Sequence, residues 1–390
     1  MRRMVAVCPV VPWPPVDGGR KRTMRLLEAA ERVGLAPHIL TADHANAAGP
    51  DALRERGWTV DLLDPPPGGP RGRLRQQLGR LPSPYLPSVD ARLRQLVAAA
   101  PTMVLIEHTQ SAYYAAALKG VPWILSTHNV DSQLMRTLAE GRRPLSAAWL
   151  REWNRWHTMR TVERRAGAAA TAVLCVSEND RRVFAEVNRR VVLSPNGVDD
   201  DFFGAEPAAD PQGPPKVLFF GRLDYEPNEL GFERFLREGW PLLHGRRADA
   251  TLRLVGGGAS PKLRAAATST PGVEVVGFAE DLVAEIASCD VLVVPLWAGG
   301  GTRLKVLEAM AAAIPIVGTS LGVEEIGFED DVHGLIRDTP EELAAGVEEL
   351  LDDRPRGCRL AAAGRSLAED FRWTKTLAPA EALFRDLASA

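Results

Sequence analysis

Residues Val291–Met310 read VLVVPLWAGGGTRLKVLEAM, and this stretch decides the fold prediction. The apolar run Val291–Val294 predicts a buried parallel strand. The glycines Gly299–Gly301 follow, and a helix is predicted from about Thr302 to Ala312. A strand, a glycine-rich turn and a helix in this order offer backbone N–H groups and a positive helix end to an anion. The stretch therefore predicts a doubly wound α/β domain with an anion site.

Two basic residues strengthen the anion-site prediction. Arg303 and Lys305 fall in the first helical turn, where a cation opposes the helix dipole at a cost of ~0.3–1 kcal/mol each. A bound phosphate would turn this penalty into attraction. Glu308 lies about 40° around the helix from Leu304, so it is predicted on the inward face, where a carboxylate needs a partner. The alternative is a helix whose cations return to solvent and whose glutamate pairs with an arginine.

The same stretch resembles a known signature. Pro295–Glu308, continued by Pro315–Thr319, is similar to the nucleotide-sugar motif of the family-four retaining glycosyltransferases, which have the GT-B fold. In that family two glutamates, separated by seven residues, mark the donor site. Glu308 matches the second, whereas Gly300 stands at the first, so the chain resembles the subgroup with Gly-Gly-Gly-Thr-Arg-Leu-Lys. The resemblance implies donor-binding roles for Gly299, Gly300, Gly301, Thr302, Arg303 and Leu304, and catalytic roles for Lys305 and Glu308.

Composition narrows the possible functions. A chain of 390 residues suits two α/β domains, and a formal net charge of -3 gives no reason to expect nucleic acid as a partner. The four scattered cysteines predict buried, reduced thiols in a cytoplasmic protein. The first apolar run, Met4–Val11, predicts a strand rather than a signal peptide. The richness in alanine, arginine and glycine hints at a bacterial source.

The first predicted strand leads to a second candidate anion site. Asp17-Gly18-Gly19 precedes a helix predicted near Arg20–Val33, and its first turn is again cationic. The family resemblance implies that Gly18 and Gly19 approach the donor phosphate or the acceptor. An ordinary tight turn is the alternative. His128 follows another predicted strand, Trp123–Leu125, at the sheet edge where ligands bind. The resemblance implies that His128 lines the donor-sugar pocket; a strand-capping histidine is the alternative.

Two basic segments suggest a surface role. Pro65–Pro87 contains four arginines and could face an acceptor or a membrane, although a solvated insertion is favoured. Three tryptophans recur at helical spacing between arginines, which fits either a membrane-surface helix or a helix with core tryptophans. The core interpretation is favoured, and peripheral membrane contact stays open. The tryptophans of this second segment are Trp149, Trp153 and Trp156, and its arginines include Arg151, Arg155 and Arg160.

The domain boundary is predicted near residue 198. Pro195–Asp199 resembles the interdomain segment of the family, and Asn196 is thereby assigned to donor binding. Asp199–Asp201 could pass for a metal-binding triplet, but it precedes a proline-rich stretch, so a solvated linker is favoured and no metal is expected. The predicted domains are 1–198 and 199–372, with the segment 373–390 crossing back to the first.

The second domain restarts at the predicted strand Lys216–Phe220. The resemblance implies that Arg222 binds the donor diphosphate, while Pro227 stands where the family usually has a lysine; Lys305 is the candidate substitute. The glycine cluster Gly256–Gly258 does not extend to a dinucleotide fingerprint, because the third glycine position holds a proline. The turn at Gly277 and Phe278 matches the one that receives the nucleobase in the family.

These observations predict two doubly wound, Rossmann-like α/β domains facing a cleft. The implied activity is transfer of a hexose-type sugar from a UDP- or GDP-sugar, with the anomer retained, to a glycan, lipid-linked or small-molecule acceptor. Arg222, Lys305 and Arg303 would stabilise the leaving diphosphate, and Glu308 would hold the ribose, with no cofactor or metal required. The rival interpretations are a nucleotide-sugar epimerase, a phosphorylase, and a non-catalytic sugar-binding protein.

Overall fold

The chain folds into two compact units. The structure is a computed structural model that describes residues 2–44, 48–64, 86–205, 213–299 and 302–389. Unit 1 comprises Met1–Asn196 with Thr376–Ala390, and unit 2 comprises Gly197–Lys375. Gly300, Gly301 and all four arginines of the predicted basic segment (Arg71, Arg73, Arg75 and Arg80) lie outside the described residues.

Unit 1 is built on a parallel sheet with strand order β3-β2-β1-β4-β5-β6-β7. Its strands are β1 Arg3–Val7, β2 Ala36–Thr41, β3 Thr59–Leu62, β4 Met103–Glu107, β5 Trp123–Ser126, β6 Ala172–Cys175 and β7 Val191–Leu193. The central strands β4, β5 and β6 are buried at every position, because helices cover both faces of a doubly wound sheet. The predicted strand Met4–Cys8 is confirmed within one residue.

The helices of unit 1 connect these parallel strands. They are α1 Gly18–Arg32, α2 Gly49–Glu55, α3 Pro87–Ala98, α4 Asp131–Glu140, α5 Ala147–Ala169 and α6 Glu178–Ala185, with a 3₁₀ helix at Thr109–Ala117. The strand order reverses between β1 and β4. This is the switch point at which doubly wound sheets bind ligands. The loop before α1 and the residues that end β4 meet there.

Unit 2 repeats this plan with strand order β10-β9-β8-β11-β12-β13, all parallel. The strands are β8 Lys216–Phe220, β9 Thr251–Val255, β10 Val273–Gly277, β11 Val291–Val294, β12 Ile316–Gly318 and β13 Leu335–Ile336. Every residue of β11 is buried, which confirms the strand predicted from its apolar run. The switch point lies between β8 and β11, so the loops after these two strands are neighbours.

Helices cover both faces of the unit 2 sheet. They are α7 Asp200–Phe203, α8 Glu226–Glu238, α9 Trp240–Arg246, α10 Pro261–Ser269, α11 Leu282–Ala287, α12 Leu304–Ala311, α13 Pro340–Asp352, α14 Arg354–Ala368 and α15 Trp373–Thr376, with a 3₁₀ helix at Glu369–Phe371. The predicted helix from about Thr302 begins later than expected, and Arg303 occupies its N-cap position.

The carboxyl-terminal helix α16, Ala378–Ser389, belongs to unit 1. It packs against α1 and β7. An ion pair between Arg32 Nε and Glu381 Oε1, at 2.8 Å, links it to α1. The last segment of the chain is therefore part of the first unit rather than of the second.

Two expectations about burial are corrected. Cys8, Cys175 and Cys289 are buried as expected, but Cys358 is exposed on α14. The tryptophans of α5 are not core residues: Trp153 is exposed and Trp149 and Trp156 are half-buried. The covered face of α5 instead contains Glu152, Met159 and Glu163. Among the described residues, no helix combines the length and apolarity that crossing a membrane requires.

Candidate active site

Three glycines form the carboxyl edge of unit 2. Gly221, Gly256 and Gly277 stand at the ends of β8, β9 and β10, and each has a positive φ (141°, 138° and 77°). Gly221 N donates to Val255 O, and Gly256 N donates to Gly277 O at 2.7 Å. A Cβ on Gly256 would lie 1.9 Å from Gly221 O. Glycine is therefore required there, which gives the Gly256–Gly258 cluster a structural role.

Arg222 follows directly after this edge. Its side chain is exposed, and Nε and Nη2 each donate to one carboxylate oxygen of Asp224 at 3.0 Å. This bidentate pair lowers the pKa of Asp224. Because both partners are largely exposed, the pair contributes little to stability. The guanidinium is thus held in place at the edge of the sheet, where an anion can compete for it.

Lys305 reaches the same edge from α12. Its Nζ donates to Asn228 Oδ1 at 2.8 Å, and Asn228 Nδ2 donates to the Arg222 carbonyl at 2.7 Å. Lys305 Nζ also lies 4.7 Å from the centre of the Phe219 ring and 3.1 Å from the position that a Cβ on Gly221 would take. The ammonium therefore sits beside Asn228, the residue that follows Pro227.

The charge of Lys305 is poorly compensated in this setting. Burial, followed by the nearby charge of Arg303, lowers its pKa to about 7, and Glu308 only partly opposes this effect. The hydrogen-bond acceptor, Asn228, is neutral. A buried cation without a close carboxylate is costly unless a ligand supplies negative charge. This imbalance is the clearest electrostatic feature of unit 2.

Arg303 has a different environment from the one predicted. It is buried, its Nε donates to Leu321 O at 3.0 Å, and its Nη2 donates to Glu324 Oε1 at 2.8 Å. Burial lowers the pKa of Arg303 despite this partner. The guanidinium therefore anchors the turn after β12 to the start of α12. The alternative in which the cation returns to solvent does not hold for Arg303, because its side chain is buried.

The other predicted donor residues surround the start of α12. Glu308 is buried, as its helical position predicted, and its charge is felt by Lys305. Gly299 has φ 129°, and a Cβ there would come within 3.0 Å of Arg303 Nη1. Thr302 and Leu304 are half-buried at the helix start. Gly300 and Gly301, between Gly299 and Thr302, cannot be placed, because they are outside the described residues.

Phe278 lies at the end of β10, directly after Gly277. Its ring is 65% exposed, which is unusual for a phenylalanine at a sheet edge. Phe278 and Arg222 follow strands of the same sheet, separated only by β9. The predicted base-binding turn and the predicted diphosphate-binding arginine are therefore on one edge of unit 2.

A second polar group lies in unit 1, at the switch point between β1 and β4. His128 Nε2 is 2.7 Å from Glu107 Oε2, and Thr23 Oγ1 donates to the same oxygen at 2.9 Å. Glu107 is fully buried, yet hydrogen bonding and charge from His128 hold its pKa at about 2. An ionised Glu107 requires a proton on Nε2 of His128.

His108 completes this group. Its ring stacks on that of His128, with centroids 3.6 Å apart and planes 15° from parallel. Burial, and then the proximity of His128, lowers the pKa of His108 to about 3, so the ring is neutral. Its backbone has φ 63°, a conformation that costs energy in a residue other than glycine. A Cβ on Gly19 would lie 3.7 Å from His128 Nδ1, so the predicted glycine turn faces the two rings.

The start of α1 differs from the expected anion site. The Asp17 carboxylate caps the helix by accepting from Arg20 N at 3.0 Å, so the chain itself supplies a negative charge there. Arg22 is fully buried and donates to Ser194 O at 2.8 Å and to Asn196 Oδ1 at 3.3 Å. Asn196 thus contacts α1 of unit 1. Arg20 Nε, Arg22 Nε and Arg22 Nη2 are buried without a hydrogen-bond partner among the described residues, so the chain compensates this basic first turn only in part.

The residues Glu107, His108 and His128 also have the composition of a metal site. Their potential ligand atoms lie within 4.8 Å of one another, the only such group of three among the described residues. However, Glu107 Oε2 is already bonded to His128 and Thr23, and Arg22 adds positive charge nearby. The donor set therefore suits a hydrogen-bonded group better than a divalent cation. Metal independence stays a prediction.

Sequence reasoning did not assign a site role to Glu107, His108 or Asn228, which the structure places in these groups. Glu107 is the last residue of β4, and its position before His108 at a predicted strand end was the available signal. Asn228 is 77 positions before Lys305, and no local pattern connects them. Glu107 and Asn228 reach their partners only because of the order of strands in each sheet.

Two models of known protein families match this chain. The model described as "Glycosyltransferase Family 4" matches residues 16–202, and the model described as "Glycosyl transferases group 1" matches residues 214–353. Each match falls almost entirely within one unit, and together they leave residues 1–15, 203–213 and 354–390 unmatched. The chain is a glycosyltransferase. More particularly, the matches and its two doubly wound units place it among the family-four glycosyltransferases with the GT-B fold.

Curated relatives share a moderate part of the sequence. A GDP-mannose-dependent alpha-(1-6)-phosphatidylinositol monomannoside mannosyltransferase of Mycobacterium tuberculosis is 29% identical over 316 residues, which cover 74% of this chain and 77% of the relative. A D-inositol 3-phosphate glycosyltransferase of Stackebrandtia nassauensis is 26% identical over 399 residues, which cover 90% and 83% of the two chains.

Solved structures confirm the predicted fold. Sucrose-phosphate synthase from Thermosynechococcus elongatus has a TM-score of 0.77 at 19% identity, and each chain is covered completely. Anabaena HepE, in complex with UDP and glucose, has a TM-score of 0.72 at 15% identity, again with complete coverage of both chains. At these identities the likeness concerns the fold alone.

Proposed function

We propose that this glycosyltransferase uses a nucleoside diphosphate sugar, a UDP- or GDP-sugar, and retains the anomeric configuration. The observation that carries this proposal is Lys305. Its ammonium lies against a neutral amide in a half-buried setting, with a pKa lowered to about 7, at the carboxyl edge of a doubly wound sheet. A dianionic diphosphate at this edge would compensate the charge. The Arg222 guanidinium can leave Asp224 and bind the same ligand at little cost, because Asp224 is exposed and water can solvate its charge.

The role of each residue follows from its position. Lys305 and Arg222 neutralise the charge that develops on the leaving diphosphate, which is the main electrostatic task of the transfer. Glu308 holds the ribose hydroxyls, and Phe278 with Gly277 receives the base. In unit 1, His128, whose ring is fixed by the 2.7 Å contact between Nε2 and Glu107 Oε2, lines the pocket of the transferred sugar. Asn196, Gly18 and Gly19 stay proposed donor-binding residues, and the cytoplasmic location stays a proposal.

The acceptor is proposed only by class: a glycan, a lipid-linked sugar or a small molecule. The names of the relatives offer two donors to try first. The Mycobacterium relative is named for GDP-mannose, and HepE was crystallised with UDP and glucose. The two curated relatives and the two family models are named as glycosyltransferases, which argues against the epimerase, phosphorylase and non-catalytic interpretations.

Donor binding is testable before the acceptor is known. Thermal unfolding of the full chain is measured with UDP, GDP and ADP, each with and without excess chelator. One diphosphate at about 100 times its dissociation constant should add ~2.7 kcal/mol of stability. Turnover of the corresponding sugar donor, followed by proton coupling constants of the product, then reports the anomer. An inverted product would refute retention, and no response to any nucleoside diphosphate would refute the donor class.

A further inference from the structure

Helix α5 and the residue before it expose an apolar face. Leu145 is 78% exposed, Leu150 53% and Trp153 38%. Trp149 stacks on Trp153, with ring centroids 5.0 Å apart. At about 100° per residue, Trp149, Leu150 and Trp153 lie within about 100° of the helix circumference. Leu145, Trp149, Leu150 and Trp153 are called the α5 face below. Apolar side chains gathered on one exposed face indicate an interaction surface.

The backbone conformation of Leu145 indicates that its side chain serves a contact with another molecule. Its φ is 62°, in the left-handed region where a side chain with a Cβ is disfavoured. The leucine side chain is also almost fully exposed, so it gains little from packing. Folding alone would favour glycine or asparagine here. An exposed leucine held in a strained conformation therefore points to a contact with something other than this chain.

The surroundings of the α5 face are strongly basic. Residues 142–165 contain seven arginines and only two glutamates, although the whole chain has a net charge of -3. Both glutamates, Glu152 and Glu163, are buried. Arg151 and Arg155 pair with Glu152, at 3.1 and 2.9 Å. Arg143, Arg160 and Arg165 are exposed. The apolar face is thus surrounded by positive charge.

A cavity of about 580 Å³ adjoins this face, between α4, α5 and α6. Trp153 and Trp156, in edge-to-face contact at 4.6 Å, form part of its wall. Phe184 supplies an apolar surface, and the charged lining is mixed: Arg136, Arg160 and Arg164 with Glu140, Glu163 and Glu186. Its volume is within the range of small-molecule sites. Because its arginines are matched by glutamates, the cavity adds room beside the α5 face, while the positive charge comes from the exposed arginines around that face.

We propose that the α5 face docks on the surface of a bilayer that contains anionic phospholipid. Leu145, Leu150 and Trp153 enter the interfacial layer, and the surrounding arginines meet the lipid phosphates. Tryptophan is well suited to this layer, because its ring is apolar and its N–H is polar. A helix with an apolar face and arginines around it lies in the plane of the interface. This proposal does not rest on the proposed donor chemistry.

Other partners fit the α5 face less well. A second copy of the chain, docked through the same face about a twofold axis, would oppose like charges. Nucleic acid would use the arginines but leave Leu145 and Leu150 without a favourable contact, since phosphates and base edges are polar. An anionic bilayer satisfies both the leucines and the arginines.

Vesicle sedimentation tests the proposal with the full chain. The protein should pellet with vesicles of phosphatidylcholine and phosphatidylglycerol, but not with phosphatidylcholine alone, and high salt should weaken binding. Leu145→Gly combined with Leu150→Ser should reduce the partition coefficient at least ~10-fold, since a buried leucine is worth about that factor. Leu230→Ser combined with Leu242→Ser, on exposed leucines (40% and 39%) of unit 2, is the control and should bind normally. Arg151→Gln should reduce binding about fivefold.

The α5-face variant should remain folded, because glycine relieves the strain at residue 145; its thermal unfolding should occur no earlier than that of the wild type. Three results would overturn the proposal. One is failure of the wild type to pellet with anionic vesicles, and another is equal pelleting of the α5-face variant and the control. The third is a dimer or a nucleic-acid complex that the wild type and the control variant form and the α5-face variant does not, while none of these proteins pellets with vesicles.

Discussion

Replacement of Lys305 by methionine tests the proposed donor site most directly. Methionine keeps most of the stem volume and removes the charge. If Lys305 meets the leaving diphosphate, kcat should fall by roughly 10²–10³, the usual loss when one group that stabilises developing negative charge is removed. Lys262→Met is the matched control, since Lys262 is an exposed lysine of unit 2 that pairs with Glu233 at 2.9 Å. Its kcat should stay normal.

The same substitution should stabilise the unliganded protein at low pH. Lys305 has a pKa of about 7 in the fold, against about 10.4 in an unfolded chain. Below pH 7 the lysine is charged in both states, and burial of the charge is a penalty. Between pH 7 and about 10 the unfolded state binds more protons, so this penalty is relieved as the pH rises. The upper limit of this penalty is roughly 4–5 kcal/mol, and partial exposure together with the Asn228 bond reduces the penalty to ~1–2 kcal/mol.

Urea unfolding at pH 6 and pH 9 measures this difference. Lys305→Met should gain stability over the wild type at pH 6, and the gain should be smaller at pH 9. The affinity for the nucleoside diphosphate gives a second reading: the ratio of wild-type to variant affinity should fall about tenfold from pH 6 to pH 8, as Lys305 loses its proton. Normal kcat together with lower stability at pH 6 would refute the reasoning, and would make Lys305 a structural partner of Asn228.

Three further predictions concern neighbouring groups. Arg222→Met should also lower kcat by roughly 10²-fold. In the double variant with Lys305→Met, the fold loss of kcat should be less than the product of the two single losses, since both side chains act on one diphosphate. A loss equal to that product would show that the two residues act independently. Glu107→Gln should lower kcat/KM roughly tenfold or more, because the hydrogen bond that fixes the His128 ring loses its charge. It should also remove the stability that the ionised carboxylate supplies above about pH 4 and that the wild type loses as the pH falls towards 2. Unchanged kinetics would contradict a positioning role for Glu107. Activity should persist in excess chelator; complete loss that Mn²⁺ or Mg²⁺ restores would refute metal independence and direct attention to Glu107, His108 and His128.

Local patterns in the sequence were sufficient to predict much of the fold. The apolar run Val291–Val294 could be buried on both sides only in a covered parallel sheet, and the structure has β11 there. Glycines and prolines marked the turns correctly, because backbone conformation depends on a few neighbouring residues. The buried position of Glu308 followed from helical periodicity alone. The motif around it was enough to suggest the family.

Other features were decided by contacts between distant residues. Helical spacing placed Trp149, Trp153 and Trp156 near one face, but it could not tell how far other elements cover that face; in the described part of the chain Trp153 is exposed and Trp149 and Trp156 are half-buried. Arg303 turned inward because Glu324, 21 residues later, meets it. Lys305 gained its lowered pKa from burial beside Asn228, and Glu107 reached His128 because β4 and β5 are neighbours in the sheet. The sequence by itself determined which residues share a face or follow a strand; only the tertiary structure decided what lies opposite them, because burial and charge compensation depend on segments that are remote along the chain.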